Sequence, residues 1–127
     1  MGVTNAGKEA FADLAGGVNS IDAFTYLALG GSASSAFSAT QTALEDEITA
    51  SGLTRAATSN TLSTTTTASD TLKLSETWTA SSGATIKEIG VFNASSAGTM
   101  CARSVLGTPR TLTTGNTYTA NYKIIFA

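Results

Sequence analysis

The chain's acidic residues are its best candidates for chemistry, because it has no histidine at all. That removes the commonest general base and the commonest metal ligand. Two carboxylates at a suitable separation would permit glycoside hydrolysis, and Glu76 and Glu88 are the pair that could converge if they stood on adjacent strands. Glu45, Asp46 and Glu47 form a run that suggests a cation site, but consecutive helical residues point about 100° apart and cannot all meet one ion. A solvated acidic turn is the simpler reading. Cys101 is the single cysteine, with no histidine to activate it and no second thiol for a zinc site or an intrachain disulfide. A small buried strand residue describes it better. Gly16-Gly17 and Gly30-Gly31 lack the spacing and the lysine of a phosphate-binding loop. The expectations are no enzyme activity, no cofactor and no metal.

The carboxylates then call for a structural reading. A charge inside a sheet has to be paired. Arg103 is placed to neutralise Glu88 if the stretches 86–92 and 100–106 form an antiparallel hairpin, so the two side chains are expected to face each other across it. Gly90, in mid-strand, marks a bulge or a close approach of Trp78 or Tyr122 to the backbone. The acids at 45–47 fall near the C-terminal end of a helix expected over Thr40 to Ile48, where the macrodipole disfavours anions. They need a partner, and Arg55 stands just downstream.

The elements that must position these residues follow from period and punctuation. Thr4 or Asn5 caps a short helix running to Leu14, with Ala10, Phe11 and Leu14 on one side and Gly16-Gly17 as its stop. Its apolar stripe is narrow, which suits a helix lying on a larger body or reaching a neighbouring subunit. Ala23 to Leu29 reads as a strand with apolar residues on both faces, Phe24, Tyr26 and Ala28 against Leu27 and Leu29. A small-residue loop follows, carrying Phe37 as a plug at the core edge or an intersubunit contact. The second helix, 40–48, has Leu44 and Ile48 four apart. Leu53 to Ala68 is β-branched and reads as strand, and Ser69-Asp70 as a turn.

Thr71 to Ala80 alternates, with Leu72, Leu74, Trp78 and Ala80 on one face and Glu76 as the exception among them. The next strand places Ile86, Gly90 and Phe92 with Glu88 on one side and Ile89 and Val91 on the other. Met100 to Leu106 pairs with it across Asn93 to Gly98. Pro109 marks a loop or sheet edge over 107–110. Thr117 to Phe126 closes the chain with Tyr118, Ala120, Tyr122, Ile124 and Phe126 on one face. Six or seven strands with turns at this spacing predict a mainly β chain, an antiparallel β-sandwich of jelly-roll or Ig-like kind, with two short helices and a strand within residues 1–50. Residues 1–127 are expected to form a single domain.

At 127 residues one core is the default, burying roughly two-thirds of the unfolded surface. Charged residues are 13% of the total, about half the usual share, while Ser and Thr make up nearly a third. A net charge of −2 supplies no electrostatic footprint for nucleic acid or an anionic membrane. Low charge also weakens the self-repulsion that keeps copies apart. The N-terminal residues include Lys8, Glu9 and Asp13 with no apolar run long enough for a signal peptide or membrane span, so synthesis and assembly in a cytoplasm are expected.

Several motifs together resemble a family of small virion proteins of tailed bacteriophages. They are Thr4 to Gly7, Phe24 to Gly30, Thr40 to Glu47, the stretch Glu88-Ile-Gly-Val-Phe92 followed by Gly98-Thr-Met-Cys-Ala-Arg-Ser104, and the closing Tyr122 to Phe126. The resemblance implies a structural protein. Its first implication is a capsid decoration, or cement, protein on the outer surface of an icosahedral head, binding across the major capsid protein as a homo-oligomer such as a trimer. The alternative is a tail, baseplate or fibre-associated module. In either case Phe11, Leu14 and Phe37 are the candidates for intersubunit contacts, and Glu88 with Arg103 for a structural ion pair.

Overall fold

Alternating apolar residues dictate most of the observed elements. The computed structural model describes residues 2–126, and within them the chain runs β1 (Gly2–Val3), α1 (Asn5–Gly16), β2 (Tyr26–Gly30), β3 (Ala56–Ala57), β4 (Ser59–Ser63), β5 (Thr71–Thr79), β6 (Ala84–Phe92), β7 (Met100–Leu112) and β8 (Thr117–Ile125). All pairings are antiparallel and make two sheets, one of five strands in the order β1-β7-β6-β2-β3 and one of three in the order β4-β5-β8. The sheets share a core: Leu27, Leu29, Ile89 and Val91 of the larger meet Leu74, Trp78, Tyr122 and Ile124 of the smaller. A second, smaller cluster of Ala28, Leu44, Phe92 and Met100 lies apart from it. β2 therefore buries both faces, as its sequence predicts.

The described residues hold one helix rather than two. α1 begins where expected, because Thr4 is a bidirectional cap. Its Oγ1 accepts from the Gly7 amide at 2.9 Å and donates to the Met100 carbonyl at 2.6 Å, while its own amide donates to the Cys101 carbonyl. The cap thus fastens the helix to β7. Gly7 lies so close to that strand that a Cβ there would fall 2.6 Å from the Cys101 Cα. Alanine in a helix interior ordinarily gains up to about 1 kcal/mol over glycine. Here the sign should reverse, and Gly7→Ala is expected to lower stability by about 1–3 kcal/mol. A denaturant midpoint at or above that of the unaltered chain would contradict this packing.

The segment 40–48 is not helical. Leu44 and Ile48 are four apart, but their neighbours are needed elsewhere: the Ile48 amide donates to the Leu29 carbonyl, the Asp46 carbonyl accepts from the Gly31 amide, and Gly30 bridges Glu47. Pairing with the end of β2 keeps the chain extended. The expected strand over 53–68 is divided into β3, β4 and a turn. In that turn Asp70 accepts from the amides of Thr65, Thr66 and Thr67, each at 2.8 Å. Those bonds, with the Thr67 amide foremost, hold its carboxyl well below the usual range.

Strict alternation also fails at Lys87. The β6–β7 register shifts between Ile86 and Glu88, so Ile86 turns into the main core with Ile89 and Val91 instead of sharing a face with Glu88. Opposite that shift, β7 accommodates Pro109 inside a continuous strand where a loop was expected. Phe126 is the remaining departure on β8's apolar face. It is 58% exposed, with its ring edge-on to Phe11 at 5.3 Å.

Candidate functional site

Polar residues gather on the side of the five-stranded sheet where the loop 31–48 lies. Glu88 and Arg103 are both completely buried, and Arg103 Nε donates to Glu88 Oε1 at 2.7 Å. Gly90, not Glu88, is opposite Arg103 in the register, and Glu88 is opposite Val105, so the pair is a diagonal one within the hairpin. The second carboxylate oxygen of Glu88 accepts from the amides of Glu45 (2.9 Å) and Asp46 (3.2 Å). The far end of the guanidinium donates to the Ser35 carbonyl and to Gln41 Oε1, with the Glu45 carboxylate 3.7 Å away. One buried charge pair therefore holds both limbs of the loop.

Space for it comes from Gly30. A Cβ at that position would lie 2.6 Å from Glu88 Cδ and 2.5 Å from Oε2. Gly90 does similar service for Leu44: its bare Cα lets Leu44 and Phe92 approach, and neither Trp78 nor Tyr122 is among its nearest neighbours, contrary to the sequence reading. The absent side chain of Gly90 is filled from the loop, not from the main core.

Glu45 has a further set of partners that sequence reasoning did not anticipate. Its carboxylate accepts from the Ser34 and Ser35 amides at 2.7 and 2.8 Å and from the hydroxyls of Ser32, Ser34 and Ser35. The Ser35 hydroxyl, then the Ser34 and Ser35 amides, hold its carboxyl down from an ordinary 4.5 to about 2. A depressed acid contributes stability above its unfolded-state value and loses it as the pH falls through the folded one. Protection of the Ser34 and Ser35 amides against hydrogen exchange is thus expected to decline as the pH falls from about 4.5 to about 2, and Glu45→Gln should remove that dependence. A flat profile in the unaltered chain would contradict the clamp.

The rest of the acidic run diverges. Glu47 binds Arg55 in a bidentate manner, at 2.6 and 3.1 Å, which meets the expectation of Arg55 as a downstream partner. Arg55 also donates to the carbonyls of Ala94 and Ala97 and lies 3.7 Å over the Phe92 ring. It therefore pins the β6–β7 turn to the same loop. Asp46 is exposed. Among the described residues no group of three potential ligands is arranged for a metal ion. Glu76 and Glu88 belong to different sheets, since β5 pairs with β4 and β8 while β6 pairs with β2 and β7. Glu76 accepts from the Thr77 amide; the two carboxylates have separate partners. Cys101 is buried, and burial pushes its thiol up to about 12, far from a reactive thiolate.

No family model matches the chain, and no curated protein matches it either. Function therefore has to be read from the geometry. None of the described helices is long and apolar enough to cross a membrane.

The three aromatic and aliphatic candidates for contact are not equivalent. Phe11 is half-buried between Phe24 and Phe126, in edge-on contact with both. Phe37 is half-buried, with its ring against Gly2 of β1. Leu14 is exposed, as is Val18 just beyond the helix. Phe126, at the chain's end, is exposed as well. Val18 and Phe126 escaped the sequence reading, which assigned no role to the first and put the second in the core.

Proposed function

We propose that this chain is a structural component of a tailed-phage virion, built as a two-sheet β-sandwich, and that it serves as a capsid decoration protein on the outside of the head. The observation that carries the reading is how the motif residues are used. Glu88, Gly90, Phe92, Ala102 and Arg103, which carry the family resemblance, are all buried and spent on packing or on holding the loop 31–48. A motif whose two charged groups are both spent internally is one that preserves a rigid body. Such a body acts by burying surface against the major capsid protein and against copies of itself, as a trimer, rather than by catalysis.

The surface supports this. The side of the smaller sheet turned away from the core carries hydroxyl and amide pairs, Ser75 with Asn121 and Thr77 with Thr119, and charge is sparse. Exposed Leu14, Val18 and Phe126 supply apolar anchors of the kind that mark interaction sites. Antibody labelling of purified particles tests the placement. Label distributed over the whole head, with hundreds of copies per particle, is the expected result. Label confined to the tail, with at most dozens of copies, would replace it with the tail, baseplate or fibre assignment.

A further inference from the structure

The smaller sheet is two strands narrower than the one it packs on, and among the described residues β8 is left with a free edge. α1 fills one end of the uncovered space, with Gly7 against Cys101 of β7 and Phe11 against Phe126 just past β8. The other end is open. There a groove of about 380 Å³ runs along β8 from Tyr118 to Lys123, and Ile89, Ser104 and Leu106 form its opposite wall.

The backbone beside this groove is unpaired. In an antiparallel pair, alternate residues exchange both main-chain bonds with the partner strand. The Phe126 amide donates to the Asp70 carbonyl and the Ala80 amide to the Asn116 carbonyl, so the even-numbered residues of β8 are those bonded to β5. Thr119, Asn121 and Lys123 turn their amides and carbonyls to the free edge. Tyr122, in the groove lining, is only 6% exposed, and its hydroxyl has no hydrogen-bond partner among the described residues. Buried groups of this kind are seldom left unsatisfied.

Charge selects the occupant. Lys123 stands directly opposite Lys73 in the β5–β8 register, an arrangement that is unfavourable without an anion nearby. Arg110 lies 6.0 Å over the Tyr118 ring. None of the three forms an ion pair among the described residues. The acids at 45, 47 and 88 are committed to the loop, and Glu76, opposite Ala120, is on the other face of the β5–β8 ladder from Lys73 and Lys123. Pairing edge to edge, a second copy would bring the same cations to the same edge.

We propose that the β8 groove receives an extended acidic segment of another protein. The segment adds to β8 as a further strand through main-chain bonds to Thr119, Asn121 and Lys123. Alternate apolar side chains enter between Tyr118, Leu106 and Ile89, and the intervening carboxylates meet Lys73 and Lys123. This inference stands whether the chain resides on the head or the tail.

The probe is a capped heptapeptide of alternating valine and glutamate, titrated into the ¹⁵N-labelled full chain. The amides of Thr119, Asn121 and Lys123 should shift and become protected from exchange, while a valine–lysine counterpart leaves them unmoved. Asn121→Pro removes the central outward donor and none of the main-chain bonds to β5, at a position that tolerates proline. It gives up only the exposed Ser75 hydroxyl bond to the Asn121 side chain, and should weaken the peptide about 3- to 10-fold. If that variant fails to fold, the double change of half-buried Lys73 and exposed Lys123, Lys73→Glu/Lys123→Glu, should invert the preference toward the lysine peptide. No response at β8, an equal response to both peptides, or unaltered preference in the charge-reversed variant overturns the proposal. So does a β8-mediated dimer detected by sedimentation without peptide, which would make a second copy the occupant.

Discussion

Arg103→Ala should lower the stability of this chain by about 3–5 kcal/mol, because it leaves the Glu88 carboxylate buried without its counter-charge. A domain of this size has about 5–15 kcal/mol in all, so the variant should be marginal at room temperature. The loss has two parts. Glu88 forfeits the 2.7 Å bond from Nε, and the loop forfeits the guanidinium's bonds to the Ser35 carbonyl and Gln41. Glu88→Gln leaves the guanidinium without its buried counter-charge and sets an NH2 against either Arg103 Nε or the Glu45 and Asp46 amides, so it should cost a comparable amount, about 3–5 kcal/mol. A Glu88→Met/Arg103→Met double variant removes both charges, yet the Glu45 and Asp46 amides then lose their acceptor. It should cost less than either single change, about 1–3 kcal/mol. Urea unfolding at neutral pH measures the series, and exchange at the Glu45 and Asp46 amides reports the loop separately. An Arg103→Ala variant within about 0.5 kcal/mol of the unaltered chain, inside the range of ordinary surface changes, would mean that the pair holds nothing in place.

Deleting Tyr122 to Ala127 should abolish cooperative folding altogether. Tyr122 and Ile124 are 6% and 2% exposed and belong to the core shared by the two sheets. Losing two large buried side chains costs about 2–5 kcal/mol each, and β5 loses part of its ladder in addition. The sum approaches the whole stability of the domain. Deleting only Phe126 and Ala127 should be mild, since Phe126 is more than half exposed and contributes one edge-on ring contact with Phe11 and one terminal main-chain bond to Asp70. Circular dichroism and amide dispersion distinguish the outcomes: a soluble, cooperatively melting chain that ends at Asn121 would contradict the assignment of β8 to the core.

Much of the fold was legible where a local rule and the tertiary environment agree. The β6–β7 hairpin, the β5 and β8 strands and the Thr4 cap follow from alternation, turn residues and an Ncap hydroxyl, each of which acts over a few residues. The pairing of Glu88 with Arg103 follows from the need to neutralise buried charge, whereas its diagonal register comes from the β6–β7 ladder. The 40–48 segment was illegible for a corresponding reason. The four-residue spacing of Leu44 and Ile48 satisfies a helix, but Leu44 fills the space over Gly90, and the 45–48 backbone serves Glu88, Leu29 and Gly31. Those partners lie across the sheet, where no local period reports them. The inverted face of Ile86 has the same origin, in a register shift imposed by β7.

By itself the sequence determined the class of the protein. A chain with little charge and period-two apolar patterning builds mainly strands. Only the tertiary structure decided how the polar residues are spent, because hydrogen bonds of Glu88, Glu45, Arg55 and Arg103 join segments from 8 to 68 residues apart. It also decided which edge is left open: β8 is free because α1 covers one end of the space beside it and no strand among the described residues covers the other. Local propensity sets which segments extend. The pairing of those segments, and the surface left unpaired, depend on contacts between residues distant in the chain.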